Sequence, residues 1–256
     1  MTNEPLLRER HERVLLLRLN RPEKLNALSE ALLRALLAAV EEARLDPEVR
    51  CLVLIGAGRA FSAGGDLTAM LEMTPAAFRE YVLLLQRLSA AMRQLDTPTI
   101  AAIHGYALAG GFELALLCDV RIAAEEAHFG LPDTAVGLSP TSGLTYLLPR
   151  IVGLGWAKHL TLSGEMIDAR QALAIGLVTR VVAAETLEAT ALELARTIAA
   201  HPPLGLRHVK LGFDLALDAD LHQALAHELE AEVTCFATEE VQASLRAFAA
   251  RRRAKS

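Results

Sequence analysis

A chain of 256 residues, 52% apolar and 22% charged, carries enough apolar material for one large globular domain, or for a domain with an appendage. Its net charge of −5 excludes a general cation surface for nucleic acid or anionic lipid, apart from the run Arg251-Arg252-Arg253-Ala254-Lys255, which by itself could be a solvated terminus. The opening MTNEPLLRERHERV lacks the apolar stretch of a secretion signal, and no uninterrupted apolar run reaches the roughly 18 residues that span a bilayer, so a cytoplasmic protein without membrane contact is expected.

Val14–Leu19 reads as a strand. Leu32, Leu33, Leu36, Leu37 and Val40 then recur at helical spacing, and Ser29 is placed to cap that helix by accepting an orphan N–H. Leu52–Ile55 is the next predicted strand. Ala77–Leu95 reads as a helix entered at Pro75 and left before Thr97-Pro98. Ile100–Ile103 and Val120–Ala123 complete the strand candidates, and their alternation with helices predicts an α/β architecture. The character changes at His201-Pro202-Pro203. Beyond it only amphipathic helices are predicted, over Leu204–Leu217, Leu221–Ala237 and a short segment up to Ala250. The division is therefore a core over residues 1–200 and a helical region over 201–256, packed on the core or on a partner chain. Cys51, Cys118 and Cys235 are odd in number, share no metal-type spacing and sit beside apolar residues, so buried free thiols and no metal site are expected.

Three segments carry the chemistry. Gly56-Ala-Gly-Arg-Ala-Phe-Ser-Ala-Gly-Gly-Asp66-Leu67 follows a strand, and its glycines would let a ligand approach bare backbone, or merely relieve a turn. In Gly105-Tyr-Ala-Leu-Ala-Gly110-Gly111-Phe112-Glu113, small residues give way to an apolar helical run. Gly110-Gly111 is therefore predicted at a helix N-terminus, where free N–H groups favour a developing oxyanion. Glu113 is the one charge between Gly105 and Cys118, either a carboxylate with a specific task or a first-turn glutamate favoured by the helix dipole. Phe129-Gly130-Leu131-Pro132-Asp133 puts a carboxylate into an apolar stretch, as a functional group or as a turn residue. His104 and His128 fall at strand ends and read as hydrogen-bonded structural residues rather than bases. Signatures of nucleotide hydrolysis, nicotinamide binding, serine hydrolysis and zinc proteolysis are absent.

In order, spacing and residue type these segments resemble the crotonase (enoyl-CoA hydratase/isomerase) superfamily, most closely its hydratases. The matching stretches are Asn20-Arg21-Pro22-Glu23-Lys24-Leu25-Asn26-Ala27-Leu28, Phe61-Ser62-Ala63-Gly64-Gly65-Asp66-Leu67, Ala109-Gly110-Gly111-Phe112-Glu113-Leu114 and Phe129–Asp133, with weaker matches in Leu162-Ser-Gly-Glu, Ala174-Ile-Gly-Leu-Val-Thr-Arg and Phe236-Ala-Thr-Glu-Glu. The resemblance implies a right-handed β-β-α spiral core whose helical C-terminal part forms a homotrimer or a dimer of trimers. It implies an acyl-CoA thioester substrate and no separate cofactor, coenzyme A being part of the substrate. The N–H groups of Gly65 and Gly110 would form an oxyanion hole. Lys24, Leu25, Ala27, Ala63, Gly64, Asp66 and Leu67 would wrap the coenzyme, with Arg251 against its phosphates. Met70, Leu71 and Met73 could line the acyl pocket or belong to the core.

Hydration of a 2-enoyl-CoA to a 3-hydroxyacyl-CoA would then use Glu113 as general base and Asp133 as general acid. Relatives carry a second glutamate where this chain has Asp133, and aspartate is shorter by one methylene, about 1.5 Å. Some isomerases of the superfamily place a carboxylate at the position of Thr141, which cannot shuttle that proton. An isomerase, lyase or hydrolase on the same scaffold is the alternative, and a thioester-binding or assembly protein without turnover is the rival from another class.

Overall fold

The computed structural model describes residues 4–253, the last three of them by backbone alone. The chain begins with β1 (Leu6–His11), β2 (Val14–Leu19), α1 (Glu30–Leu45), β3 (Cys51–Gly56), α2 (Leu67–Leu71) and α3 (Pro75–Arg93). It continues through β4 (Thr99–Ile103), β5 (Tyr106–Leu108), α4 (Gly110–Leu116), β6 (Val120–Ala124), β7 (His128–Gly130) and α5 (Leu144–Ser163). Then follow β8 (Ile167–Asp168), α6 (Ala169–Ala174), β9 (Arg180–Val182), α7 (Leu187–Ala199), α8 (Pro203–Ala216), α9 (Leu221–Phe236) and α10 (Glu239–Arg253).

A six-stranded sheet runs in the order β1-β2-β3-β4-β6-β9, parallel from β2 onward, and β5, β7 and β8 form a smaller sheet beside it. Successive side chains of a strand point to opposite faces. Leu17, Leu19, Leu52, Leu54, Ala101 and Ile103 therefore join the buried faces of α1 and α3 in one apolar layer. Val14, Leu16, Val53, Ile55, Ile100 and Ala102 face the other way, onto Leu187, Ala191 and Ala195 of α7. Strands covered on both faces are mainly apolar, and all four strands predicted from sequence are present here. Ser29 caps α1 by accepting the Leu32 N–H, and Thr74 does the same for α3 from the Ala77 N–H.

The remaining strands escaped the sequence reading for local reasons. β1 is an edge strand that mixes charges with leucines, and its Glu9 pairs with Arg18 of β2. β5, β7, β8 and β9 are two or three residues long, too short for a period to register.

The three C-terminal helices fall where the sequence placed them, except that α10 reaches Arg253 rather than stopping near Ala250. α8 is tied to the core by polar contacts: Lys210 Nζ donates to Thr97 O at 3.0 Å and to Asp119 at 2.8 Å, and Arg93 pairs with Asp214. No residue of α8 or α9 is fully buried, and Phe213, Leu221, Leu229, Val233 and Phe236 stand exposed. Cys51 and Cys118 are buried free thiols as expected. Cys235 on α9 is only half-buried, in a helix of which no residue is fully buried. Among the described residues no helix is long and apolar enough to cross a membrane.

Candidate active site

Three loops meet at the C-terminal side of the β-strands. After a short 3-10 turn at Pro22–Lys24, Leu25 and Asn26 are both left-handed, at φ 50° and 54°. Two such residues in succession are strained, and the surroundings must hold them. The fully buried Asn26 amide does so, donating to Ala57 O and Ala60 O and accepting the Arg21 N–H. The second loop is laced onto the first: Ser62 Oγ donates to Asn26 O at 2.9 Å, the Ala63 N–H to Leu25 O at 2.9 Å, and the Leu28 N–H to Gly64 O at 2.7 Å. The third joins through the Leu108 N–H, which donates to Ser62 O at 3.0 Å.

The closeness of these loops explains two glycines. A Cβ on Gly111 would lie 2.3 Å from Ser62 O, and one on Gly64 would lie 2.7 Å from Leu108 O. Gly64 also has φ +92°, which side chains rarely adopt. Ala109, just before α4, holds φ 47° and ψ −124°, with its N–H tied to Gly130 O at 3.0 Å. That strained residue sets the direction from which Gly110 opens the helix. The N–H groups of Gly65 and Gly110 have no acceptor among the described residues.

Glu113 lies in the first turn of α4 and is 3% exposed. One carboxylate oxygen accepts the Thr141 N–H at 2.6 Å, while the other is buried without a partner. Asp133 sits in the 3-10 turn Pro132–Val136, and it too has a buried oxygen without a partner. Burial pushes the Glu113 carboxyl above the usual carboxylate range, and the nearby Asp133 charge adds to this against the lowering hydrogen bond from Thr141. Burial likewise raises Asp133. A cavity of about 380 Å³ collects Gly65, Gly110, Glu113 and Asp133, walled by Met70, Phe78, Tyr81, Val82, Leu85 and Leu138. Two free backbone donors and two carboxyls of raised pKa line one largely apolar chamber.

The Enoyl-CoA hydratase/isomerase family pattern matches residues 9–255. The chain belongs to that family. It is 37% identical to the short-chain-enoyl-CoA hydratase of Clostridium acetobutylicum, over 96% of this chain and 94% of the relative. It is 40% identical to the 2,3-dehydroadipyl-CoA hydratase of Escherichia coli, over 96% of each chain. The crystal structure of the enoyl-CoA hydratase from Bacillus anthracis superposes with a TM-score of 0.94 at 36% identity, covering 96% of each chain. The fold is accordingly the right-handed β-β-α spiral of the enoyl-CoA hydratase/isomerase family, with a helical C-terminal region.

Around this family site the other sequence-predicted residues divide. Lys24 is exposed on the 3-10 turn, and Leu25, Ala27 and Ala63 line the seam between the first two loops. Asp66 caps α2 through the Ala69 N–H and pairs with Arg21 at 3.0 Å. Burial acts to raise its pKa, but Arg21, the Ala69 N–H and the Lys24 charge outweigh that and hold it low, so Asp66 stays ionised. Leu67 is exposed beside it. Met70 reaches the cavity wall, but two companions do not: Leu71 is 85% exposed, and Met73 packs on the core. A five-residue helix turns only one side inward, which corrects the expectation for Leu71, while Met73 takes the core place that the sequence left open to it. The Arg251 side chain lies outside the described residues. His104 and His128 bond the backbone carbonyls of Gly58 and Glu126, as structural histidines do.

The sequence reading missed Phe78, Tyr81, Val82 and Leu85. Their helical spacing marked them as the buried face of α3 but could not show that this face borders a cavity. A larger cavity, about 470 Å³, lies between α8 and the core. Its buried cations are already engaged, Arg121 with Leu177 O and Cys118 O, and Lys210 with Asp119.

Proposed function

We propose that the protein is an enoyl-CoA hydratase that adds water reversibly across the 2,3-double bond of a 2-enoyl-CoA thioester. The observation that carries this reading is the pairing, in one cavity, of two acceptor-free N–H groups with two carboxyls whose pKa values are raised. The Gly65 and Gly110 N–H groups receive the thioester oxygen and stabilise the negative charge that grows there as C3 is attacked. Glu113 takes a proton from the water as its oxygen bonds to C3. Asp133 gives a proton to C2, and the enolate collapses to the thioester. One proton enters the carboxylate pair and one leaves it, so a single shared proton suffices. The names of the C. acetobutylicum and E. coli relatives support the same chemistry. Thr141 borders the cavity with a hydroxyl, which argues against an isomerase that would need a proton shuttle there. Crotonyl-CoA should lose its enoyl absorbance on addition of the enzyme. Tight binding of crotonyl-CoA without that loss would instead identify a thioester-binding protein.

The pH dependence follows from the shared proton. With both carboxyls protonated there is no base, and with both ionised there is no acid. kcat is therefore expected to be bell-shaped, with its acidic limb displaced above the ordinary carboxylate range because burial raises both groups. An acidic limb at or below the ordinary range would remove Glu113 from the role of base.

The Lys24–Leu28 and Ala63–Leu67 loops hold the coenzyme portion in this reading, with Arg251 assigned to its phosphates on charge alone. We also assign the C-terminal helices to subunit contacts in a trimer or a dimer of trimers. The exposed Phe213, Leu229, Val233 and Phe236 support this, because apolar surface of that extent is costly to leave in water. Sedimentation at micromolar concentration should show no stable monomer. A monomer there would return α9 and α10 to the status of an appendage.

A further inference from the structure

Hydration needs the Gly65 N–H aimed at the thioester oxygen, so the group that aims it shares in the rate. The Gly64 carbonyl and the Gly65 N–H belong to one planar peptide, and fixing the first directs the second to the opposite side. The Leu28 N–H fixes that carbonyl at 2.7 Å. The position of Leu28 is set in turn by Tyr81, whose buried hydroxyl donates to Leu28 O at 2.7 Å. Tyr81 comes from α3, so this bond ties α3 to the first loop at the edge of the cavity. Its hydroxyl also lies against the donor residue itself, since a Cβ on Gly65 would stand 3.5 Å from Tyr81 Oη. Phe78, one turn earlier on α3, stacks on the tyrosine ring at 6.3 Å between ring centroids. Burial, with the nearby Glu113 and Asp66 charges, raises the phenol above its ordinary range, so it remains a donor.

We propose that Tyr81 is a positioning residue for the oxyanion hole, acting through Leu28 on the Gly64–Gly65 peptide. This rests on the hydratase reading, and the test separates the two. The probe is 4-(dimethylamino)cinnamoyl-CoA, whose absorption band moves to the red when its thioester carbonyl is polarised. Wild type should hydrate crotonyl-CoA and shift the bound band to the red. Tyr81→Phe keeps the ring and removes one oxygen.

Removing an oxyanion donor outright costs about 10²–10³-fold, so loosening one is expected to lower kcat about tenfold, with KM within about twofold. The bound probe should move back toward its free position. A role in packing alone would lower Tm and leave kcat and the band unchanged, and that result would overturn the proposal. Should Tyr81→Phe not fold, a ring-fluorinated tyrosine at position 81 keeps the hydroxyl and strengthens it as a donor. The band should then move further to the red, and an unmoved band would overturn the proposal equally. A wild type that neither hydrates nor shifts the probe would overturn the hydratase reading and this inference with it. A normal wild type with an unaltered variant sinks Tyr81 alone.

Discussion

Glu113→Gln and Asp133→Asn should each lower kcat on crotonyl-CoA by about 10²–10⁴-fold, the usual worth of a positioned proton-transfer group. KM should change little, because in the proposed reading the loops around Lys24 and Ala63, rather than the carboxyls, hold the coenzyme. The double variant should lose far less than the product of the single losses, since both groups serve one water and one shared proton.

Glu113→Gln should also remain folded at neutral pH. The folded pKa of Glu113 is raised, so the stability that its protonated form contributes is present at low pH and is lost as pH rises through that folded value. An amide cannot ionise and escapes that loss. Asp133→Glu restores the missing methylene, and retained or improved turnover would fit an acid reaching toward C2. If Asp133→Asn hydrated at the wild-type rate, Asp133 would be a turn residue. Glu113 would then act alone, as in an isomerase or lyase.

Gly64→Ala is expected to lower kcat by about 10²–10³-fold, the scale of losing one oxyanion donor. Two causes add. At φ +92° an alanine is strained by about 1–3 kcal/mol. Its Cβ would also meet Leu108 O at 2.7 Å and Gly110 N at 3.0 Å, both backbone atoms that cannot swing aside as a side-chain tip does. The segment must separate from the third loop, and with it the Gly65 N–H leaves the Gly110 N–H. A displacement of about 1 Å suffices for a loss of this order. Circular dichroism would check that the fold survives, and stopped-flow hydration would measure the loss. Wild-type turnover in a folded Gly64→Ala protein would show that Gly65 is not a donor to the substrate.

Much of this protein was legible in the chain itself. The four central strands are mainly apolar runs because both faces of the sheet are covered, and α1 and α3 announce themselves by helical spacing and capping residues. The site was legible as a set of exceptions to that patterning: glycines after a strand, and single carboxyls in apolar surroundings, Glu113 and Asp133. Local sequence carries these signals because backbone conformation and the cost of burying charge are set within a few residues.

Tertiary structure alone decided the rest. That the α3 face bearing Phe78, Tyr81 and Leu85 borders the cavity, while Leu71 and Met73 do not, depends on how a helix is rotated against distant loops. The chain of contacts from Tyr81 through Leu28 to Gly64 joins residues 53 and 36 positions apart. β5, β7 and β8 exist only because partners from elsewhere complete their hydrogen bonds, for a two- or three-residue strand has no stability of its own. Hydrogen-bond partners and cavity walls are properties of which segments meet. Periodicity within one segment holds no record of the segment it will face.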